Sequence, residues 1–254
     1  MCSLWFYWFR GDEFRPDFKK VGELTCIFES DAHLALTATA TVNLVKALEN
    51  VLNYNSPDIV WANIDRPNIY IMIEKKLPNI NKIEKYDDMI MPVANELKEK
   101  LTNFPLTIMY VESLECLGYF YQYLAHELKE MQFCGEPIPP NRIFAQYHND
   151  YPNIMKQLIV SDLVKERSNL RLVLATVALG MGLNAPCIQR IIHCRPPTTM
   201  EKYMQEIGRA GPNGLEAEAI MFYNMSDVSK SRKGFTTAMR ECFCLKIYVT
   251  VRNC

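Results

Sequence analysis

The sequence predicts an α/β protein built on an open, mostly parallel sheet. Short apolar runs alternate with longer helical stretches from residue 106 onward, the order of β–α units. One of those runs, residues 171–176 (RLVLAT), is of the length and polarity a buried strand needs. It ends abruptly in Gly180-Met181-Gly182, where a side chain would block close approach of another backbone or of a ligand.

Taken in order, residues 4–9 (LWFYWF) are dense in aromatics, and Phe14-Arg15-Pro16-Asp17-Phe18 follows at once. Asp12-Glu13 after an apolar run invites comparison with the Mg-binding carboxylates of an ATPase. Arg15 stands where a further His or Asp belongs, so that reading is rejected. Aromatic faces beside an arginine suit stacked bases; a hydrophobic segment with no such role is the alternative. Residues 34–41 (LALTATAT) read as a strand end running into threonine caps for a helix over 42–52.

Apolar runs at 59–62 and 69–73 flank Asp65-Arg66-Pro67-Asn68, and Pro67 biases Arg66 to an extended conformation. Residues 74–85 are charged and carry Pro78, Asn79 and Asn81, so they read as a surface loop before a helix over 87–101. Strands then fall at 106–111, 143–147, 171–176, 188–193 and 217–223. Helices fall at 114–129 and 154–165, with a proline-rich turn at 135–140. Thr198 and Glu201 fit a capping box for the helix after Pro196-Pro197. On that helix Gln205 and Arg209 are four apart and share a face, and Gly208 and Gly211 bracket Arg209.

The 254 residues are 49% hydrophobic and 22% charged with net charge −1, enough for one large or two small domains. A near-neutral balance neither advertises nor excludes a nucleic-acid partner, because local patches matter more than the sum. Nine cysteines without regular spacing read as reduced thiols of an intracellular protein. No apolar run approaches the roughly 18 residues of a membrane span, so no membrane partner is expected. The four histidines lack ligand-like spacing and read as structural.

Two long stretches carry a family resemblance. Residues 175–184 (ATVALGMGLN) and 203–214 (YMQEIGRAGPNG) resemble motifs V and VI of the RecQ family of superfamily two DNA helicases. Phe14-Arg15-Pro16-Asp17-Phe18, with Glu23-Leu24, resembles that family's aromatic-rich loop, though Trp8 lies displaced from the family tryptophan. Residues 34–41 resemble motif III, Arg66-Pro67-Asn68-Ile69 the crossing between the two motor domains, and residues 110–113 (YVES), more loosely, motif IV. A DEAD-box RNA helicase is disfavoured, because 205–209 (QEIGR) stands where those proteins carry H-R-x-G-R.

The resemblance implies a RecA-like parallel-sheet domain over 66–228, preceded by the tail of a first RecA-like domain over 1–65. Residues 229–254 would open an incomplete zinc-binding region. It implies an ATP-dependent 3′–5′ DNA helicase, with ATP and Mg2+ as cofactors of the longer parent, DNA as partner and the nucleus as compartment. Gln205 and Arg209 take catalytic roles by this likeness, with Gly180, Gly182 and Asn184 beside them at ATP. Trp8, Phe14, Arg15, Thr37, Thr39, Ser113 and Thr176 face nucleic acid. No metal ligand is assigned, since zinc requires a longer chain. The sequence contains neither a phosphate-cradling GxxxxGK[ST] loop nor a DExH box. The expectation is therefore the C-terminal part of a motor whose first domain lies upstream. Pro212 stands where the family has its second motif VI arginine, which favours a non-catalytic nucleic-acid-binding or interaction module as the alternative. For the motif residues themselves, a plain tight turn at Gly180–Gly182, a solvated Gln205 and a surface Arg209–Glu206 pair are the bland readings.

Overall fold

The computed structural model describes residues 2–5, 23, 27, 33–36, 42–54, 56–61, 65–80, 82–165, 168–176, 179, 187–229, 232–237 and 239. The chain divides into two compact units, residues 1–65 and 66–254. In the first, β1 (Cys2–Trp5) and β2 (His33–Leu36) pair in parallel, and α1 (Val42–Leu52) follows with Leu48 and Leu52 buried. Residues 59–61, apolar in sequence, form no strand and are exposed.

The second unit is an α/β RecA-like fold. Its elements are β3 (Ile69–Lys75), α2 (Lys82–Lys100), β4 (Thr107–Tyr110), α3 (Leu114–Leu128), β5 (Phe144–Tyr147), α4 (Asn153–Val164), β6 (Leu172–Ala175), β7 (Arg190–His193), α5 (Met200–Ile207) and β8 (Ala217–Tyr223). The six strands form one all-parallel sheet in the order β3-β8-β7-β4-β6-β5. Parallel pairing demands crossover helices, and those helices cover both faces. Alternate residues of each strand go to opposite layers. Ile108, Tyr110, Val173, Ala175 and Ile191 pack with α4 and α5, while Met109, Leu172, Leu174 and Ile192 pack with α2 and α3. On α2 the buried positions Tyr86, Met89, Ile90, Val93 and Leu97 recur at helical spacing, and α3 does the same with Leu117, Phe120, Leu124 and Leu128.

Two local expectations are corrected. The charged stretch 74–85 is a surface loop only at residues 77–80: Glu74 and Lys75 complete β3, α2 begins at Lys82, and Lys76 and Lys85 are buried. Charge suggests solvent only where no counter-charge waits inside, and here one does. The cap of α5 is Thr199, whose hydroxyl accepts from the Lys202 backbone N–H at 3.2 Å, one place beyond Thr198. Thr198 instead accepts the Thr236 N–H at its carbonyl.

Candidate nucleotide and nucleic-acid site

The helix α5 ends in the turn Gly208-Arg209-Ala210-Gly211, and the segment before β3 holds that turn. The Arg66 guanidinium donates to the carbonyls of Gly208 at 3.2 Å, Ala210 at 2.9 Å and Gly211 at 2.7 Å. The Asn68 amide donates to the carbonyls of Gly211 at 2.9 Å and Leu215 at 2.6 Å, and its Oδ1 accepts from Arg66 Nε at 3.2 Å. A helix C-terminus leaves carbonyls unpaired, and a cation there also meets the negative end of the helix dipole. Gly211 sits at φ 59° and is buried; a Cβ on it would lie 2.3 Å from the Leu215 carbonyl oxygen and 2.5 Å from Asn68 Nδ2. Glycine is required there both for the left-handed conformation and for the close approach.

Inside the turn, α5 is anchored to the sheet by a buried polar pair. His193 Nε2 and Glu206 Oε2 lie 2.9 Å apart, and both side chains are buried. The imidazole stacks on Tyr110, centroids 5.1 Å apart, and meets Tyr203 at 5.4 Å. Burial pushes the Tyr110 phenol well above its usual range and the Glu206 charge adds to that, while the nearby Arg209 charge pulls the other way. Glu206 is thus a partner of His193 in the core. Arg209 is half-buried and Gln205 lies one turn before it, also half-buried. A guanidinium fork and an amide on one helix face form a donor set suited to phosphate oxygens. Pro212 opens a single 3-10 turn, Pro212–Gly214, and brings no donor to it.

The other sequence-derived residues separate. Ser113 follows β4 and its hydroxyl caps α3, accepting the Cys116 N–H at 3.1 Å. Thr176 follows β6, half-buried, its backbone N–H bonded to the Tyr147 carbonyl. Both lie at the carboxyl ends of adjacent parallel strands, where open α/β sheets hold ligands. Trp8, Phe14, Arg15, Thr37, Thr39, Gly180, Gly182 and Asn184 lie outside the described residues. Among the described residues no group of three His, Cys, Asp or Glu side chains could hold a metal ion, and no helix is long and apolar enough to cross a membrane. Cys116, Cys134, Cys187 and Cys194 are free thiols.

Sequence reading missed Arg66, Asn68, Tyr110 and His193 as parts of this site. The Arg66-Pro67-Asn68 resemblance was a usable signal, read there only as a crossing. Its partners stand 142–145 residues away in the chain, beyond any local pattern.

The same carboxyl edge carries a network of buried ions. Lys76 Nζ donates to Glu112 Oε2 at 3.1 Å, Asp227 Oδ2 at 3.1 Å and the Cys194 carbonyl at 2.6 Å, so all three of its protons are used. Lys85 reaches Glu112 Oε1 at 2.5 Å, and Arg195 Nε reaches Asp227 Oδ1 at 2.8 Å. Burial opposes the Glu112 charge, but Lys85 and Lys76 together hold its carboxyl below the ordinary value. Burial and the neighbouring Glu112 push the Cys116 thiol up to about 12, so it stays protonated.

Residues 93–214 match the helicase conserved C-terminal domain. The chain is 29% identical over 230 residues to ATP-dependent DNA helicase Q-like 2 of Arabidopsis thaliana, covering 90% of this chain and 29% of that protein. It is 29% identical over 229 residues to ATP-dependent DNA helicase RecQ of Haemophilus influenzae, covering 88% and 32%. To the putative ATP-dependent RNA helicase R290 of Acanthamoeba polyphaga mimivirus it is 27% identical over 261 residues, covering 96% and 41%. It thus spans about a third of the length of these curated relatives. Its fold is that of S. cerevisiae Dbp5 bound to RNA and ADP BeF3, at TM-score 0.60 and 17% identity over 92% of this chain and 55% of that one. The DUF1998 helicase MrfA bound to DNA shares it at TM-score 0.62 and 18% identity, over 92% and 29%. The domain match and the relatives agree on one point: residues 93–214 form a helicase conserved C-terminal domain, in a chain similar to RecQ-type helicases.

Proposed function

We propose that the protein works as part of an ATP-dependent 3′–5′ DNA helicase and that the clamped turn after α5 is its contribution to the nucleotide site. The observation that carries this is the turn itself: a RecQ-type Q-E-x-G-R-A-G sequence whose carbonyls are held by Arg66 and Asn68 and which presents the half-buried Arg209. In this reading ATP supplies the free energy of its phosphoryl bond. Arg209 meets the charge that develops on the transferring phosphoryl group, and Gln205 orients beside it. Gly180, Gly182 and Asn184 complete the contact. The first RecA-like domain would supply the phosphate loop and the carboxylates that hold Mg2+. Ser113 and Thr176 hold the DNA backbone from the carboxyl edge, with Trp8, Phe14, Arg15, Thr37 and Thr39 on the first domain. In a eukaryotic source the compartment of this reading is the nucleus, where the DNA is; the relatives come from a plant and from bacteria alike.

One observation favours a second reading, a nucleic-acid-binding module without turnover: Pro212 leaves the turn with a single motif arginine. ATP hydrolysis by the full-length protein, with and without single-stranded DNA, decides between them. The helicase reading expects DNA-stimulated turnover, strand separation of 3′-tailed but not 5′-tailed duplexes, and a loss of about a thousandfold in kcat for Arg209→Ala with unchanged melting. It further expects Pro212→Arg to raise kcat. DNA binding with no hydrolysis in either wild type or Pro212→Arg establishes the non-catalytic reading.

A further inference from the structure

Beyond the nucleotide turn, a second cationic feature lies over the carboxyl ends of β7 and β8. It is an open depression of about 740 Å3 lined by Arg195, Thr198, Met225, Ser226, Ser229, Arg232 and Lys233. We propose that this depression binds a phosphate group carried on a larger molecule, a site separate from the Arg209 turn.

The charge balance is the first support. Beneath the depression three cations, Lys85, Lys76 and Arg195, already share two carboxylates, Glu112 and Asp227. Asp227 is fully engaged: Lys76 and Arg195 take its two oxygens, and the Asn224 N–H donates to Oδ2 at 3.2 Å. Arg232 adds a further charge that no carboxylate contacts among the described residues. Its guanidinium donates to neutral carbonyls, Asp227 O at 3.0 Å and Pro196 O at 2.7 Å. Lys233 adds another and is exposed. Burial lowers the Arg232 pKa and the Arg195 charge lowers it further, while Asp227 and Glu112 pull the other way.

The second support is preorganisation. Arg232 is fixed by its two carbonyls and by the Phe235 ring, 4.8 Å from its centre. Arg195 is fixed by Asp227 through Nε, with its side chain 38% exposed. Two guanidinium groups held at one opening match the several oxygens of a phosphate better than the two of a carboxylate. The rim hydroxyls of Thr198, Ser226 and Ser229 add neutral polar groups, and Ser229 donates to the Ser226 carbonyl at 3.0 Å. The depression is larger than a lone phosphate fills, and exposed Met225 offers an adaptable apolar wall to whatever carries the group.

The phosphate can belong to a polynucleotide or to a small phosphorylated molecule, and the test separates them. Inorganic phosphate is titrated into the full chain at fixed ionic strength against chloride, followed by the Nε–Hε signals of its arginines. A fluorescent single-stranded oligonucleotide is then competed with inorganic phosphate. Expected is saturable phosphate binding, weakened about tenfold in Arg232→Gln, the scale of one charged hydrogen bond. Lys233→Gln, an exposed change that leaves the fold alone, weakens it about threefold, the scale of a partly exposed charge contact. Lys98→Gln, on the far helix α2, changes nothing. Competition with the oligonucleotide identifies a polynucleotide phosphate; phosphate binding without competition identifies a small phosphorylated ligand. Absence of saturable binding, or equal loss in Lys98→Gln and Lys233→Gln, overturns the proposal. Loss of ATP hydrolysis in Arg209→Ala with phosphate binding intact would keep this site distinct from the nucleotide turn.

Discussion

The two ends of the β3–β8 pair are both tied by buried or half-buried cations, yet by different chemistry. At the amino end Arg66 ties the strands to the turn after α5 through three neutral carbonyls. At the carboxyl end Lys76 ties β3 to the segments after β4, β7 and β8 through two carboxylates and one carbonyl. A carbonyl clamp fixes backbone geometry at any pH. An ionic clamp holds more elements together but depends on carboxylates staying charged and dry. The end carrying the motif arginine is held by the pH-independent device, while the end facing the depression is held by the titratable one.

The comparison breaks most visibly at Lys76. Replacing it with Met leaves Glu112 and Asp227 buried with one cation each, and the cost expected in denaturant unfolding is about 3–5 kcal/mol. A cost under about 1 kcal/mol would place the network with surface ion pairs. Next in size, Arg66→Ala removes three donors from the α5 turn at an expected cost of about 2 kcal/mol, with Lys recovering only part because an ammonium lacks the planar fork. That variant should also lower kcat of the full-length protein more than Lys76→Met does, since Arg209 rides on the turn.

The pH dependence sharpens the contrast. The folded pKa of Glu112 lies below its ordinary value of 4.5. Its stabilisation is therefore complete above that value and is lost as pH falls through the depressed one. Acid titration of melting should show a shallower decline for Glu112→Gln than for wild type below about pH 4.5, while the penalty of Arg66→Ala stays constant across the same range. An unchanged slope in Glu112→Gln would remove Glu112 from the acid response. The smallest effect is at Ser113. Ser113→Ala should cost about 1 kcal/mol through the lost cap of α3, and Ser113→Asp should retain most of it. A drop in DNA affinity in both variants, read by anisotropy, would separate a contact role from the cap.

Much of the fold was legible because short-range pattern carries it. Helix α1 and strand β8 stand at the bounds their apolar periodicity sets, and β4 and β6 sit inside the runs that announced them. Motif VI was legible as a helix ending in glycines, so Gln205 and Arg209 were named from spacing and likeness. The Thr198 cap missed by one residue, because adjacent threonines offer the same hydroxyl and only the backbone angle at Thr199, φ −130° and ψ 155°, selects between them.

What the sequence by itself determined is the succession of parallel-sheet units and the chemistry gathered on α5, since both depend on residues within a few turns of one another. The tertiary structure alone decided the strand order β3-β8-β7-β4-β6-β5, the burial of Lys76 and Lys85, and the reach of Arg66 to a turn more than 140 residues on. The physical reason is the same in each case. Whether a charge is buried or a carbonyl is clamped is settled by a partner that only folding brings near, and the local period of a chain contains no information about that partner.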